Sequence, residues 1–330
     1  MTTLVTGATG FVGSAVARVL LARGHDLRLL VRQNSDRRNI AELDAETVVG
    51  DLTDPASLDR AASGCRYVVH VAADYRFWVP NPADMLNANV EGTMAILRSA
   101  TKAGAERIVY CSSVAALGQI GDGTPATEDT PAVEADFVGI YKRSKFLAER
   151  AVLEAARKDS IPLVIVNPAA PVGPRDIKPT PTGKMILDAA AGRVPAYIDT
   201  GLNLVHVDDV AEGHALALER GRIGERYILG GENMPLKDIL TLVASVAGQR
   251  PPSIRLPEAI IWPIAFAMEH FARVTGIPPL MTRDHLKMAR KKMYSSARKA
   301  IEDLGFQPRP VRGAVEDAVA WFRANGMLRP

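Results

Sequence analysis

The sequence predicts an α/β protein built on a doubly wound parallel sheet, with a smaller C-terminal lobe that takes substrate. Three observations predict it. From the start of the chain to about residue 175, short β-branched or apolar runs alternate with helix-period segments, the pattern of repeated strand–helix–strand units. Three glycines, Gly7, Gly10 and Gly13, stand where the first apolar run gives way to the first helical stretch. Beyond residue 175 the regularity falls away without a low-complexity connector. The expected division is therefore 1–175 for the sheet-forming part and 176–330 mostly for the substrate lobe, with a stretch at about 203–232 returning to the sheet.

The expected strands are Thr3–Thr6, Asp26–Val31, Thr47–Val49, Tyr67–Val71, Arg107–Ser112 and Pro162–Val166, enough for two mononucleotide-binding halves. The expected helices between them run from Gly13 to Arg23, stopped by Gly24, from Asn87 to Ala103, stopped by Gly104, and from Tyr141 to Lys158 after a Gly/Pro-rich loop. No internal repeat is visible.

Composition narrows the function. The 330 residues are 47% hydrophobic and 23% charged, which is ordinary for a folded protein. Forty Lys and Arg against 37 Asp and Glu leave a formal charge of +3, too small for a nucleic-acid-binding field, and no nucleic-acid motif is present. Cys65 and Cys111 match no metal-ligand or redox spacing, so a metal-free protein with reduced thiols is expected. The first strand begins at Thr3, leaving no room for a leader ahead of it, and a cytoplasmic protein is expected. No run reaches about 18 apolar residues, the length of a membrane span; the nearest, Ile260 to Ala267, is short and contains Pro263.

The turn Thr6-Gly7-Ala8-Thr9-Gly10-Phe11-Val12-Gly13 follows a strand and opens a helix, so backbone amides and the helix N-terminus can face a pyrophosphate without Cβ obstruction. This is the sequence form of the Rossmann dinucleotide site. The second strand ends in Arg32, where an NAD-preferring site places an acid for the ribose 2′-hydroxyl. Arg32, with Arg37 or Arg38 close behind, suits a 2′-phosphate, so NADP is the expected cofactor and NAD the alternative; the bland reading of these arginines is a solvated surface. Asp51 and Leu52 are placed to meet the adenine edge, with Asp51 alternatively capping the helix that begins at Asp54-Pro55.

Of the seven tyrosines only Tyr141 has a lysine, Lys145, one helical turn on, and it opens the helix leading to the sixth strand. The fifth strand brings Ser112 and Ser113 to its C-terminal end, the edge where ligands bind in open α/β sheets. With the glycine turn, Asp51-Leu52, Val71-Ala72-Ala73, Asn89, Asn167-Pro168 and His206-Val207-Asp208-Asp209-Val210, the chain resembles the extended short-chain dehydrogenase/reductase family, the NAD-dependent epimerase/dehydratase group. The resemblance implies that Tyr141 exchanges a proton with the substrate oxygen, that Lys145 favours the phenolate and holds the nicotinamide ribose, and that Ser113 hydrogen-bonds the same oxygen. It further implies cofactor contacts from Ala72, Ala73, Pro168 and Val172, and a scaffold role for His206, with Asp208 a helix cap or network residue. A homodimer through the helices near 87–103 and 141–158 is implied by the resemblance alone.

Two behaviours compete for the substrate: an epimerase that regenerates its cofactor, and a reductase of the dihydroflavonol or steroid kind that releases a net redox product. Many relatives acting on nucleoside-diphosphate sugars carry Arg just before the Asp-Tyr/Phe-Ile/Val-His-Val segment, where this chain has Leu202; Arg193 or Arg175 could stand in. The segments His70–Trp78 and Asn167–Gly183 resemble hopanoid-associated sugar epimerases, a bacterial branch described as dihydroflavonol-reductase-like. Asp74, Tyr75, Arg76, Asn167 and Arg193 are thus candidates to meet a sugar- or polyol-like small molecule, while Tyr75, Phe77 and Trp78 equally fit simple loop packing. The apolar residues 259–268 with Phe271 and 277–280 fit a greasy substrate lobe or peripheral membrane contact, with the basic residues Arg283, Lys287, Arg290, Lys291, Lys292, Arg298 and Lys299 placed to meet anionic headgroups; the ordinary alternative is a core-facing helix beside a solvated one. A different class, a non-catalytic NADP-sensing protein, is opposed by the intact Ser113, Tyr141 and Lys145.

Overall fold

A computed structural model of the chain describes residues 1–75, 81–137, 139–257 and 292–328, together with residues 262, 263, 266, 268 and 271. In chain order the strands are β1 (Thr2–Thr6), β2 (Asp26–Val31), β3 (Glu46–Val49), β4 (Tyr67–His70), β5 (Arg107–Cys111), β6 (Leu163–Pro168), β7 (Ala170–Val172), β8 (Ala196–Tyr197), β9 (Gly201–His206), β10 (Arg226–Leu229), β11 (Glu232–Pro235) and β12 (Ile254–Arg255). The helices are α1 (Phe11–Ala22), α2 (Pro55–Ala62), α3 (Pro82–Leu86), α4 (Gly92–Lys102), α5 (Ile140–Asp159), α6 (Pro181–Ala190), α7 (Val207–Arg220), α8 (Leu236–Ala247), α9 (Arg298–Leu304) and α10 (Val311–Ala324).

The central sheet is parallel throughout and runs β10-β6-β5-β4-β1-β2-β3, the strand order of a doubly wound Rossmann-like fold. Its strands are almost continuously apolar because both faces are covered. Alternate residues separate to the two sides: Val5, Val109 and Val164 pack with α1 and α7, whereas Leu4, Ile108 and Leu163 pack with α2, α4 and α5. A third core forms from α6, α8 and α10 around Ile186, Leu240, Val315 and Phe322, with Val172 and Leu204 contributed by the small β11-β9-β7 sheet. Each such side chain removed from water contributes roughly 2 kcal/mol.

The chain leaves the main sheet at the end of β6 and passes directly into β7. Of the stretch expected to return at about 203–232, α7 and β10 lie on the main sheet, but β9 pairs with β7 and β11 instead. The helix expected from Asn87 to Ala103 is interrupted: α3 leads into a π-helical turn at Asn87–Glu91 before α4 begins. The widened turn carries the buried Asn89. Among the described residues no helix is long and apolar enough to cross a membrane. Most of the apolar and basic run at 259–291, Arg283, Lys287, Arg290 and Lys291 included, lies outside the described residues, as do Arg76, Phe77 and Trp78; Phe266 and Phe271 are described and exposed.

Gly13 shows how closely α1 seats on the sheet. A Cβ there would lie 2.1 Å from the Gly7 carbonyl oxygen and 3.0 Å from the Ala8 nitrogen, both backbone atoms that cannot swing aside. We expect Gly13→Ala to cost about 2 kcal/mol or more, read as a lowered urea midpoint; a variant that unfolds with the parent protein would contradict this packing.

Candidate active site

The glycine turn forms where the exits of β1 and β4 nearly touch. Gly7 adopts φ +73°, and a Cβ on it would sit 2.6 Å from the Ala72 nitrogen, so only glycine fits. The Gly10 amide donates to the Gly7 carbonyl at 2.9 Å, and Gly10 then serves as N-cap of α1 with no side-chain cap and no acid in the first turn. The leading amides and the positive end of the helix dipole thus face the sheet edge without a competing anion. Thr9 and Val12 are half-buried and Phe11 is anchored in the core, which fixes the turn. The residues fit a dinucleotide pyrophosphate: the leading amides of α1 carry no side-chain cap and no acid stands in its first turn.

Around this turn the structure sorts the arginines. Arg38 is taken up by Asp36 at 2.7 Å, whereas Arg32 and Arg37 are exposed and carry no ion pair among the described residues. Asp51 does not cap α2. Its carboxylate accepts the Thr53 hydroxyl at 2.7 Å and the Thr53 amide at 2.9 Å, while Asp54 caps the helix through Ala56 and Ser57. Those Thr53 bonds, with Arg32 nearby, hold the Asp51 carboxyl below its usual range. Leu52 packs where a Cβ on Gly92 would press.

Ser113 lies just past the end of β5 in extended backbone, its Oγ accepting the Ala115 amide at 3.1 Å. Tyr141 in the first turn of α5 is hydrogen-bonded to the Ser113 side chain, and burial pushes its phenol up to about 12 against the pull of that bond. One turn on, Lys145 is 4% exposed and donates to the Cys111 carbonyl at 3.2 Å. Burial lowers the Lys145 ammonium, with Cys111 and Glu149 opposing. The three residues expected to carry the chemistry are therefore brought to one place, between the end of β5 and the start of α5.

Behind them sits a layer of buried polar side chains. His70, fully buried, bonds Thr6 Oγ1 at 2.7 Å and Thr93 Oγ1 at 3.1 Å and stacks on Tyr110; burial, with Lys145 adding, pushes it down to about 3. Asn89 accepts the Asp74 amide at 2.7 Å, donates to the Asp74 carbonyl at 2.8 Å and donates to Ser144 Oγ at 2.9 Å. It clamps the loop after β4 to α5. Tyr75, on that loop, is 44% exposed, and its phenol is raised by partial burial and then by Asp176 and Asp74. Asp176, itself buried, accepts from Thr180 and is pushed up to about 6 by desolvation.

Several expected contacts are corrected. Asn167 is completely buried and spends its amide on the Ser113 carbonyl at 3.0 Å and Glu149 at 2.7 Å, so it supports the site from behind rather than meeting substrate. Val172, 1% exposed, belongs to the core of the second lobe and has almost no surface to offer a cofactor. Pro168 is the buried last residue of β6. Arg193 is exposed beyond α6 and paired with Asp188 at 2.6 Å. Of the two roles expected for Asp208, cap and network residue, the structure shows the second, an ion pair with Arg175, while His206 caps α7. Leu202 sits opposite Met234 in β9 and bridges to Met293, an apolar setting. Sequence reasoning missed Glu149, for which the available signal was an acid on the Tyr141-Lys145 face of α5.

Comparison with known proteins follows the same lines. Residues 3–230 match the NAD dependent epimerase/dehydratase family. The chain is 43% identical to a protein of Synechocystis sp. named putative dihydroflavonol 4-reductase, over 98% of this chain and 95% of that one. It is 34% identical to sterol demethylase protein B of Methylococcus capsulatus, over 99% and 100% of the two chains. The crystal structure of gox2253 superimposes with a TM-score of 0.91 at 59% identity, covering 99% of each chain.

The buried His70 makes stability depend on acid. Its unfolded imidazole takes a proton near pH 6.5, its folded one only at about 3, so between these values the unfolded chain binds more protons and stability falls as pH falls. His70→Gln, which can still bond both threonines, should flatten the decline by about 1 kcal/mol per pH unit in urea unfolding at pH 6.5, 5.5 and 4.5. An unchanged slope would show that this imidazole is not held neutral.

Proposed function

The chain belongs to the NAD dependent epimerase/dehydratase family, and on that premise we propose that it is an NADP-linked reductase acting at a ketone or hydroxyl carbon of a largely apolar substrate. The observation that carries the reading is the hydrogen-bonded Ser113–Tyr141 pair with Lys145 buried one helical turn away. A bound nicotinamide dinucleotide supplies or accepts the hydride. The amides of the glycine turn and of the first turn of α1 hold the pyrophosphate, Arg32 and Arg37 meet the 2′-phosphate, and Asp51 with Leu52 borders the adenine. Ala72 and Ala73 line the cofactor side of the cleft.

Tyr141 Oη gives its proton to the substrate oxygen as negative charge develops there, and Ser113 donates a hydrogen bond to the same atom. A phenol held at about 12 is fully protonated at neutral pH, which suits an acid in the reductive direction. Lys145 lowers the cost of the phenolate left behind and holds the ribose hydroxyls. Support for an apolar substrate comes from Leu202 and its neighbours Met234 and Met293, and from the names of the two relatives, a flavonoid-type reductase and a sterol-processing protein. Asp74, Tyr75 and Asp176 supply polar contacts to the substrate.

The second reading, an epimerase of a sugar-like substrate of the hopanoid-associated kind, is favoured by the family description and by the segment around Asp176. Retention of cofactor separates them: dialysed protein that keeps its dinucleotide points to an epimerase, and protein that exchanges it freely points to a reductase. Tyr141→Phe should lower turnover of a dihydroflavonol or 3-oxosteroid with NADPH by roughly 100-fold or more while leaving NADPH affinity within about twofold; near-parental turnover would remove the acid role. In fluorescence titrations the parent should prefer NADPH, and Arg32→Glu should weaken NADPH binding by about 10-fold or more without weakening NADH. Equal or tighter binding of NADH by the parent would reverse the cofactor assignment.

A further inference from the structure

After β2 the chain runs from Arg32 to Arg38 without a buried residue, and it turns inward only at Asn39 and Ile40. Ile40 joins the apolar core beside α1. Asn39, 5% exposed, is the polar anchor. Its Nδ2 donates to the Arg175 carbonyl at 3.1 Å and to the Thr9 carbonyl at 3.4 Å, one bond for each hydrogen of the amide. Thr9 belongs to the glycine turn, and Arg175 lies on the connection from β7 to α6. Arg175 is at φ +75°, a conformation rare outside glycine that its surroundings must hold in place. One side-chain amide therefore fastens the loop after β2 to two other segments. The Arg37 carbonyl accepts the Ile40 amide at 2.9 Å, so Arg37 and Asn39 share a single tight turn. Where Asn39 is held, Arg37 is held with it.

We propose that Asn39 is a positioning residue for the cofactor's 2′-phosphate: by fastening the Arg37 turn to the glycine turn, it fixes the separation between the 2′-phosphate site and the pyrophosphate site and so favours NADP over NAD. The inference rests on the reading that Arg32 and Arg37 meet the 2′-phosphate. Asn39 commits its amide to two carbonyls, so it acts through Arg37 rather than on phosphate. The neighbouring arginines need it less. Arg32 directly follows the last residue of β2, and Arg38 is turned to Asp36. An arginine on an unfastened loop loses conformational freedom when it meets an anion, and affinity falls by that loss; on a loop docked beforehand most of the loss has already been incurred in folding. NAD has no 2′-phosphate and gains little from the fastening.

The test needs no substrate. Dissociation constants for NADPH and for NADH are measured by fluorescence titration on the full chain in the parent, Asn39→Ala, Arg37→Gln and the double variant. Asn39→Ala should lower the preference for NADPH over NADH by about 5-fold or more, and in the Arg37→Gln background the same change should shift that preference by less than about twofold, because the arginine it positions is gone. A packing role alone would weaken both cofactors alike or neither, and would act equally in both backgrounds. Either pattern overturns the proposal. Asn39→Leu, similar in volume and without the donor, is read the same way should the alanine variant not fold. A parent that binds NADH as tightly as NADPH sinks the cofactor reading and this inference with it, whereas a parent that prefers NADPH, with a preference unmoved by Asn39→Ala, sinks this inference alone.

Discussion

The approach of the β1 and β4 exits at Gly7 and Ala72 is the contact on which the rest of the site depends. At 2.6 Å from a would-be Cβ, it leaves the backbone no latitude, and it puts the uncapped start of α1 directly at the sheet edge. The orphan amides of that first turn are an energetic liability in a buried helix end and an asset at an anion site. Gly13 then seats the helix against the turn, and α7 packs beside it to close that face of the sheet. The candidate dinucleotide site thus rests on close packing at two glycines rather than on any charged side chain.

The opposite face of the sheet is organised by polar groups. His70, Asn89, Asn167 and Glu149 are all buried between the strands and the α4 and α5 layer, and each joins two or more elements. Apolar side chains in these places would pack with fewer demands, since a buried polar group gains little net stability and is costly when unpartnered. What such bonds add is direction. Asn89 fixes the loop bearing Asp74 and Tyr75 to the helix bearing Tyr141, and Asn167 fixes the backbone of Ser113 to the same helix. Proton transfer tolerates little error in distance, and a site supported this way reaches its geometry before substrate arrives.

The substrate side has a different texture. The small β11-β9-β7 sheet presents Leu202 among methionines, while Tyr75 and Asp176, which feel each other's field, come from two separate loops. On the proposed reading, one hydride-transfer apparatus serves a recognition surface built from other parts of the chain, which is how one fold supports many substrates.

Much of this was legible in the residues. Six parallel strands, the glycine turn, the lack of an acid after β2, and the Tyr141-Lys145 pair are local patterns, and local patterns follow from backbone sterics and helical spacing. The sequence by itself determined the fold class and which side chains stand at strand ends. Only the tertiary structure decided that Asp54 rather than Asp51 caps α2, that β9 joins a second sheet, that Asn167 and Val172 are buried, and that Glu149 is met by Asn167 and Arg226. The reason is physical. A polar side chain's role depends on which distant groups share its low-dielectric surroundings, and residues such as Glu149 and Arg226 become partners only when β10 pairs beside β6.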